Sequence, residues 1–390
     1  MQNKGVNHNL IGHSGSALHL QTPALVLDIN SFERNVQSMA LHCKHKGLTL
    51  RPHSKTHKCV EIARRQIAAG AVGVCCAKLG EAEVMVAGGV ESVLITSPVV
   101  SNAAIERLCA LNNQATELIV VVDNPVNVEA LIKRVGDKSA EQAKKPLKVL
   151  VDIDPDLHRT GIAAGQPALD LVQRILATPH LEFMGLQIYA GQVMHIESYA
   201  ERQKRSLVVM KLLDEMRVLL KEKGINCAIL SGGGTGTFDI DAAAGVLNEL
   251  QAGSYIVMDR EYNEIDREPP EQPGFETGLF VQMSVVSNNT AGLLTVDAGF
   301  KSFATDADTP LLCWAQPGCE LDVNNASYFF FGDEHGGIKT KKDVIVDLGT
   351  PMRAVVPHCD PTINLYDYIH VIQGDKLVDI WTVDARGKSA

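Results

Sequence analysis

The stretch Arg51-Pro-His-Ser-Lys-Thr-His-Lys-Cys59 lies between a short apolar run, Leu48 and Leu50, and a helix-like stretch, Val60-Glu-Ile-Ala-Arg-Arg65. It reads as the turn from a strand into a helix, and the same alternation recurs along the chain. Apolar runs at Leu48–Pro52, Val72–Ala77, Ser92–Thr96, Leu118–Asp123, Val149–Asp154, Met184–Tyr189, Ala228–Ser231 and Ser254–Met258 are the candidate strands. Between them lie helical patterns such as Glu81–Val86, Val128–Val135, Ala168–Leu176 and Tyr199–Leu220. Runs that stay apolar without alternation read as parallel strands covered on both faces. Eight such units over roughly 230 residues have the size of a (β/α)8 TIM barrel, which the pattern favours over a doubly wound sheet. In the long helix Tyr199–Leu220, the spacing of Val208, Leu212, Met216 and Leu219 predicts the buried stripe.

The flanks have a different texture. Ala24–Asp28, after Thr22-Pro23, reads as a strand, and Ser31–His42 as a helix ahead of the first barrel strand. Beyond Pro270, the runs Phe280–Val286, Gly292–Asp297, Ser327–Phe331, Val344–Leu348, Met352–Val356, Tyr368–Ile372 and Leu377–Val383 alternate with turn-rich links. That is the pattern of an antiparallel β domain. The charged, proline-rich Asp266–Pro273 is the expected linker, and the polar Met1–Leu20 is expected to be a flexible arm.

Of the 390 residues, 45% are hydrophobic and 21% charged, as in an ordinary globular protein. The net charge of −10 argues against a nucleic-acid partner while leaving room for a local basic pocket. No apolar run reaches the roughly 18 residues that cross a bilayer, and the N-terminus lacks the pattern of a signal peptide. The nine cysteines include no CxxC pair. They read as small core residues in a reducing compartment, and a cytoplasmic location is expected.

Barrel strands deliver their last residues to one rim. At that rim Lys55 can reach a pocket and form a Schiff base with a carbonyl. Further strand ends carry Asp154-Pro-Asp-Leu-His-Arg159-Thr-Gly161, Gln187-Ile-Tyr189-Ala-Gly-Gln-Val-Met-His195, Ser231-Gly-Gly-Gly234-Thr235-Gly236-Thr237 and Gln251-Ala-Gly253-Ser254-Tyr255. The glycine-rich run lets backbone N–H groups close on an anion, and it lacks the lysine of a P-loop. A reactive lysine plus a phosphate cradle points to a phosphorylated aldehyde, for which pyridoxal 5'-phosphate is the candidate. In the β domain, Pro357-His358-Cys359-Asp360-Pro361-Thr362 offers metal-capable side chains. On an extended strand His358 and Asp360 would project to one side. A histidine with a carboxylate suits Mn2+, Mg2+ or Zn2+, whereas a histidine with the thiolate would lean to Zn2+. Asp333-Glu334-His335-Gly336 is a second, weaker polar cluster.

Taken in order, these segments resemble the fold-type III pyridoxal-phosphate enzymes of the D-threonine aldolase, D-3-hydroxyaspartate aldolase and D-serine dehydratase group. The resemblance runs from Thr22-Pro23 to Ala385-Arg-Gly387. Its carriers are Arg51-Pro-His-x-Lys-Thr-His-Lys58, His158-Arg-Thr-Gly161, Tyr189 with His195, Ser231-Gly-Gly-Gly-Thr-Gly236, Gly253-Ser-Tyr255, Asp297-Ala-Gly299 and His358-Cys-Asp360. It implies an alanine racemase-type barrel over residues 30–265. It also implies a β domain made of residues 21–29 and 270–390 that carries the metal site, and a homodimer.

By the same resemblance Lys55 is the Schiff-base lysine and Arg159 lies beside the cofactor ring. Tyr189, Gly234, Thr235, Gly236, Gly253 and Ser254 surround the phosphate, and His358 and Asp360 hold a divalent metal, Mn2+ first. The alanine racemase branch has an arginine at the position of Gln251, facing the pyridine nitrogen. A neutral residue there implies an unprotonated ring nitrogen and disfavours racemase chemistry. The related dehydratases carry His-x-Cys where this chain has His358-Cys-Asp360, which favours an aldolase.

The expected reaction is retro-aldol cleavage of a D-β-hydroxy-α-amino acid, D-threonine or D-3-hydroxyaspartate, to glycine and an aldehyde. His195 is the candidate base. The alternatives are a metal-dependent D-serine or D-3-hydroxyaspartate dehydratase, a non-catalytic cofactor carrier, and a cofactor-free metal hydrolase. The β domain speaks against the carrier, and Lys55 with the glycine run speaks against the hydrolase.

Overall fold

A computed structural model describes residues 5–136, 145–267 and 274–390. Most of the expected linker, residues 268–273, lies outside the described residues. Eight strands, Thr49–Leu50, Val74–Cys76, Ser92–Ile95, Glu117–Val122, Leu147–Ile153, Leu181–Ile188, Ile229–Gly232 and Glu249–Leu250, form one parallel sheet. The first strand pairs with the eighth. The ring is completed by a parallel bridge from His53 to Cys75, where Cys75 N–H donates to Pro52 O at 2.9 Å. The TIM-barrel expectation therefore holds. The sheet is buried on both faces, as the continuous apolar runs require: Val93, Leu94, Ile95, Ile119 and Val120 are all fully buried.

Two features of the barrel correct the sequence reading. The eighth strand is Glu249–Leu250, whereas Ser254–Met258, read as that strand, opens with a single 3-10 turn, Ser254–Ile256, and contains no strand. The apolar run Tyr255-Ile-Val-Met258 is buried because it belongs to the core that joins barrel and β domain, and burial alone does not distinguish a strand from a packed turn. The helix Tyr199–Glu222 turns a wider and partly polar face inward: Met216 is buried as expected and Leu212 and Leu219 pack against the core, but the expected Val208 does not. Its buried residues are Arg202, Ser206, Val209, Met210, Leu213, Met216 and Leu220, while Val208 is 67% exposed. The buried stripe begins with Arg202 and Ser206, polar residues that an apolar count overlooks.

The second domain is a nine-stranded sheet with the main path Ser327–Phe330, Gly336–Lys339, Leu293–Val296, Leu279–Thr290, Ala24–Asp28, Tyr368–Gln373 and Lys376–Thr382. Pro351–Val355 pairs with Leu279–Thr290 and with Leu311–Ala315. All pairings are antiparallel except that of Ala24–Asp28 with Tyr368–Gln373. The N-terminal strand thus lies inside the C-terminal domain, as the resemblance implied. Leu311–Ala315 and Gly336–Lys339 were not expected as strands, and Val344–Leu348 is not one. Gly336 and Gly337 escape a propensity reading because they leave room for the rings of Tyr328 and Phe329 on the paired strand.

In place of a free arm, residues 5–20 dock on this domain. Ala17 and Leu20 bury against Leu377 and Ile380, and Asn7 Oδ1 accepts the Gln21 N–H at 2.7 Å. The helix Ile29–Lys46 links the two domains. Asp28 caps its start by accepting the Asn30 N–H at 2.8 Å, and Gly47 ends it with φ 68°. Phe32, Val36 and Met39 on this helix share one core with Tyr255 of the barrel and Val356 and Cys359 of the β domain. That shared core presses the β domain onto the barrel rim.

Candidate active site

Lys55 sits in the 3-10 turn Ser54–Thr56 directly after the first barrel strand. The turn is fastened from three sides. Ser54 Oγ donates to Cys75 O at 2.8 Å, Lys58 Nζ pairs with Glu81 at 3.1 Å, and Lys58 O accepts the Ala385 N–H at 2.9 Å. Lys55 Nζ itself contacts the Asp360 carboxylate, which also lies 3.4 Å from Ser254 Oγ. Burial works against the ammonium, but Asp360 and Tyr189 outweigh it and raise the Lys55 pKa. Asp360 moves the other way: burial opposes its charge, yet Lys55 holds the carboxylate well below its ordinary range.

Beside Lys55 opens a cavity of about 990 Å³ whose wall includes His53, Arg159, Tyr189, Gln187 and Gln251. The Arg159 guanidinium lies 5.4 Å from the centre of the Tyr189 ring, a cation–π distance. On the floor, a chain of buried hydrogen bonds fixes the amides. Gln251 Nε2 donates to Gln187 Oε1 at 3.0 Å and to Ser231 Oγ at 2.9 Å. Gln187 Nε2 donates to Asp152 Oδ1 at 3.0 Å, and Ser231 Oγ donates to Glu249 Oε1 at 2.7 Å. Carboxylates at both ends accept, so both amide hydrogens of Gln251 are committed and its carbonyl oxygen is the group left to offer.

The glycine-rich run lies next to Tyr189, whose ring would be 3.5 Å from a Cβ on Gly234. Among the described residues, the backbone N–H groups of Gly234, Thr235, Gly236, Gly253 and Ser254 have no protein acceptor. Thr235 Oγ1 accepts the Tyr255 N–H at 3.0 Å, which leaves its own hydrogen to donate. The glycines are required by space: a Cβ on Gly236 would collide with Met194 O, and one on Gly253 would lie 2.6 Å from Thr56 Oγ1. Unpaired N–H groups on two adjoining loops fit a phosphate, and Lys55 fits the aldehyde of the same molecule.

The metal-capable triplet does not lie on an extended strand. His358 is extended, but Cys359–Ile363 is a short helix. Thr362 Oγ1 donates to His358 O at 2.7 Å and closes that turn, while the Cys359 N–H donates to Asp259 Oδ2 at 2.9 Å and docks it on the barrel. His358 Nδ1 lies 2.8 Å from Asp306 Oδ2, which leaves Nε2 as the outward nitrogen. Cys359 is fully buried and its thiol is pushed far up by burial, so the thiolate alternative loses support. No group of three or more His, Cys, Asp or Glu side chains is poised for a metal among the described residues; His358 lies against Asp306, and Asp360 against Lys55. His195 packs against Tyr262 with ring centres 4.5 Å apart and the planes tilted by 40°. Desolvation by its surroundings, then the charge of His358, lower its pKa to about 4. Asp333, Glu334 and His335 are exposed, with Glu334 paired to Lys301 at 2.5 Å, and form no part of the site.

Residues 27–261 match the family of the alanine racemase N-terminal domain, and residues 278–372 match the putative serine dehydratase domain. A D-threonine aldolase of Arthrobacter sp. is 37% identical over 371 residues, 95% of this chain and 94% of that one. The chain belongs to the D-threonine aldolase group of alanine racemase-type pyridoxal-phosphate enzymes. A 3-hydroxy-D-aspartate aldolase of Paracoccus denitrificans is 33% identical over 373 residues, 95% of this chain and 93% of that one. The crystal structure of a D-threonine aldolase from Filomicrobium marinum superimposes with a TM-score of 0.87 at 37% identity, covering 94% of this chain and 96% of that one. A D-threo-3-hydroxyaspartate dehydratase of Delftia is more distant, at 26% identity.

For this D-threonine aldolase-group chain, the fold brings together Lys55, Arg159, Tyr189, the glycine run, Gly253, Ser254 and Asp360 at one rim. His195 shares the electrostatic surroundings of His358, Asp360 and Lys55. The sequence reading missed Asp306, Asp259 and the Asp152–Gln187 pair. Asp306 lies in Ala304-Thr-Asp-Ala-Asp308, far in sequence from His358, and only chain folding signals their contact. Asp152 was legible as a polar residue interrupting an apolar strand.

Proposed function

We propose that the protein cleaves D-β-hydroxy-α-amino acids of the D-threonine or D-3-hydroxyaspartate type to glycine and an aldehyde, using pyridoxal phosphate and a divalent metal, Mn2+ first. The observation that carries this reading is the contact between Lys55 and Asp360, which puts the cofactor-holding amine beside the metal pair. When bound, the cofactor takes up the electron pair freed at Cα, and the divalent ion acidifies the β-hydroxyl.

The chain's own residues do the rest. Lys55 tethers the cofactor through Nζ. The N–H groups of Gly234, Thr235 and Gly236, with Gly253 and Ser254, hold its phosphate, and Tyr189 and Arg159 flank its ring. His358 and Asp360 hold the ion, and Asp306 fixes the His358 ring so that Nε2 faces outward. With a pKa near 4, His195 is neutral at neutral pH and able to accept the β-hydroxyl proton. As that proton leaves, the C–O bond becomes a carbonyl, Cα–Cβ breaks, and a proton returned to Cα completes glycine.

We further place the protein in the cytoplasm as a homodimer. Its nine cysteines are free thiols, and Phe331 and Phe300 on the β domain are 53% and 45% exposed, as a subunit face would leave them. Among the described residues no helix is long and apolar enough to cross a membrane.

Incubation with D-threonine tests the reaction: glycine and acetaldehyde are expected, whereas ammonia and a keto acid would identify a dehydratase. Full activity after exhaustive chelation would remove the metal from the mechanism.

A further inference from the structure

Arg202, in the first turn of the helix Tyr199–Glu222, is 1% exposed and heads the largest fully buried side chains. Buried guanidinium groups ordinarily sit on a carboxylate. No carboxylate forms an ion pair with Arg202 among the described residues, and its donors go to backbone carbonyls instead. Nε donates to Gly236 O at 2.8 Å, NH1 to Glu197 O at 3.0 Å and to Ile196 O, and NH2 to Asp266 O. Asp266 N–H in turn donates to Glu197 O at 2.9 Å. The face of the guanidinium is covered by the Tyr199 ring, 5.4 Å away.

These carbonyls belong to three segments that meet nowhere else in sequence. Gly236 ends the glycine-rich run. Ile196 and Glu197 follow His195 directly, and Asp266 ends the barrel. By tying back the Gly236 carbonyl, Arg202 helps hold the loop whose N–H groups at Gly234, Thr235 and Gly236 lack protein acceptors. Burial disfavours its charge and lowers its pKa, and Asp239, Tyr199 and Asp266 offset this only in part, so a further negative group nearby would relieve a standing cost.

We propose that Arg202 is a positioning residue that couples the phosphate cradle to the segment carrying His195, and that the cofactor's phosphate adds a counter-charge that no direct ion pair supplies. This rests on the reading of Gly234–Gly236 as the phosphate cradle. One rigid guanidinium shared by both segments means that filling the cradle orders the backbone after His195. Lysine could keep the charge but could not span all the carbonyls.

The test compares pyridoxal phosphate with pyridoxal, which lacks the phosphate, on cofactor-free enzyme, read by visible absorbance. Arg202→Met should weaken pyridoxal phosphate at least about tenfold and leave pyridoxal unchanged, with Arg202→Lys between wild type and Arg202→Met. A second measurement uses the unaltered protein and so decides the matter even if Arg202→Met does not fold. In hydrogen exchange, pyridoxal phosphate should slow both 234–237 and 193–198, and pyridoxal should leave 193–198 unaffected. Protection confined to 234–237, or an unchanged preference for the phosphorylated cofactor in Arg202→Met, overturns the coupling. Wild type that binds pyridoxal as tightly as its phosphate overturns the cradle itself, and the coupling with it.

Discussion

The two walls of the site are built on opposite plans. The barrel wall is made of strand ends, so each side chain is fixed by a sheet buried on both faces and by a continuous chain of buried hydrogen bonds from Glu249 to Asp152. The β-domain wall is a five-residue helix, Cys359–Ile363, held against the barrel by Cys359 N–H on Asp259 and by Arg260 N–H on Val356 O at 3.0 Å. The first wall is pre-organised by its own fold, whereas the second depends on docking. On the function proposed above, the cofactor would belong to the barrel wall, and the metal to the wall whose position the domain interface sets. Lys55 and Asp360 meet across the seam.

The sharpest way to break this contrast is Lys55→Ala. It should cut turnover by about a thousandfold or more and abolish visible absorbance, because both walls then lose the amine they share. A variant that keeps its visible band would remove Lys55 from its role.

Asp306→Asn touches only the docked wall. It should weaken metal affinity about 10–100-fold, measured as the metal concentration that restores half activity after chelation, while the cofactor spectrum stays as in wild type. An equal loss of cofactor affinity would show that the walls are not independent.

Asp152→Asn touches only the barrel wall and should act through pH. Burial foremost raises the Asp152 pKa from 3.8 to about 6. A raised native pKa means that the folded state holds the proton more tightly, so this contribution is full below about pH 4 and lost as pH rises through about 6. The asparagine variant should therefore gain stability over wild type at pH 8, by up to about 3 kcal/mol, and little at pH 4. Denaturant titration at the two pH values measures it, and a difference that does not vary with pH would contradict the assignment.

Much of this was legible in the chain. Lys55, Arg159, Tyr189, Gly234–Gly236 and Gly253–Ser254 could be picked out because a barrel converts position in sequence, the end of an apolar run, into position at the rim. His358 and Asp360 were legible as residue types but not in their geometry, since the extended strand expected there is a helix closed by Thr362. Asp306 and Asp259 were not legible at all, because contacts across many residues leave no local signal. Arg202 was hidden for another reason: a charged residue in a helix reads as solvated until its four carbonyl partners are seen.

The sequence by itself determined the barrel, the added β domain and the lysine with its glycine cradle. Those follow from local rules: apolar periodicity, the conformational freedom of glycine and the chemistry of an amine. Only the tertiary structure decided which face of Tyr199–Glu222 is buried, where the eighth strand ends and how the β domain reaches Lys55. These depend on long-range packing, in which a buried polar group is settled by partners that the chain brings together only when it folds.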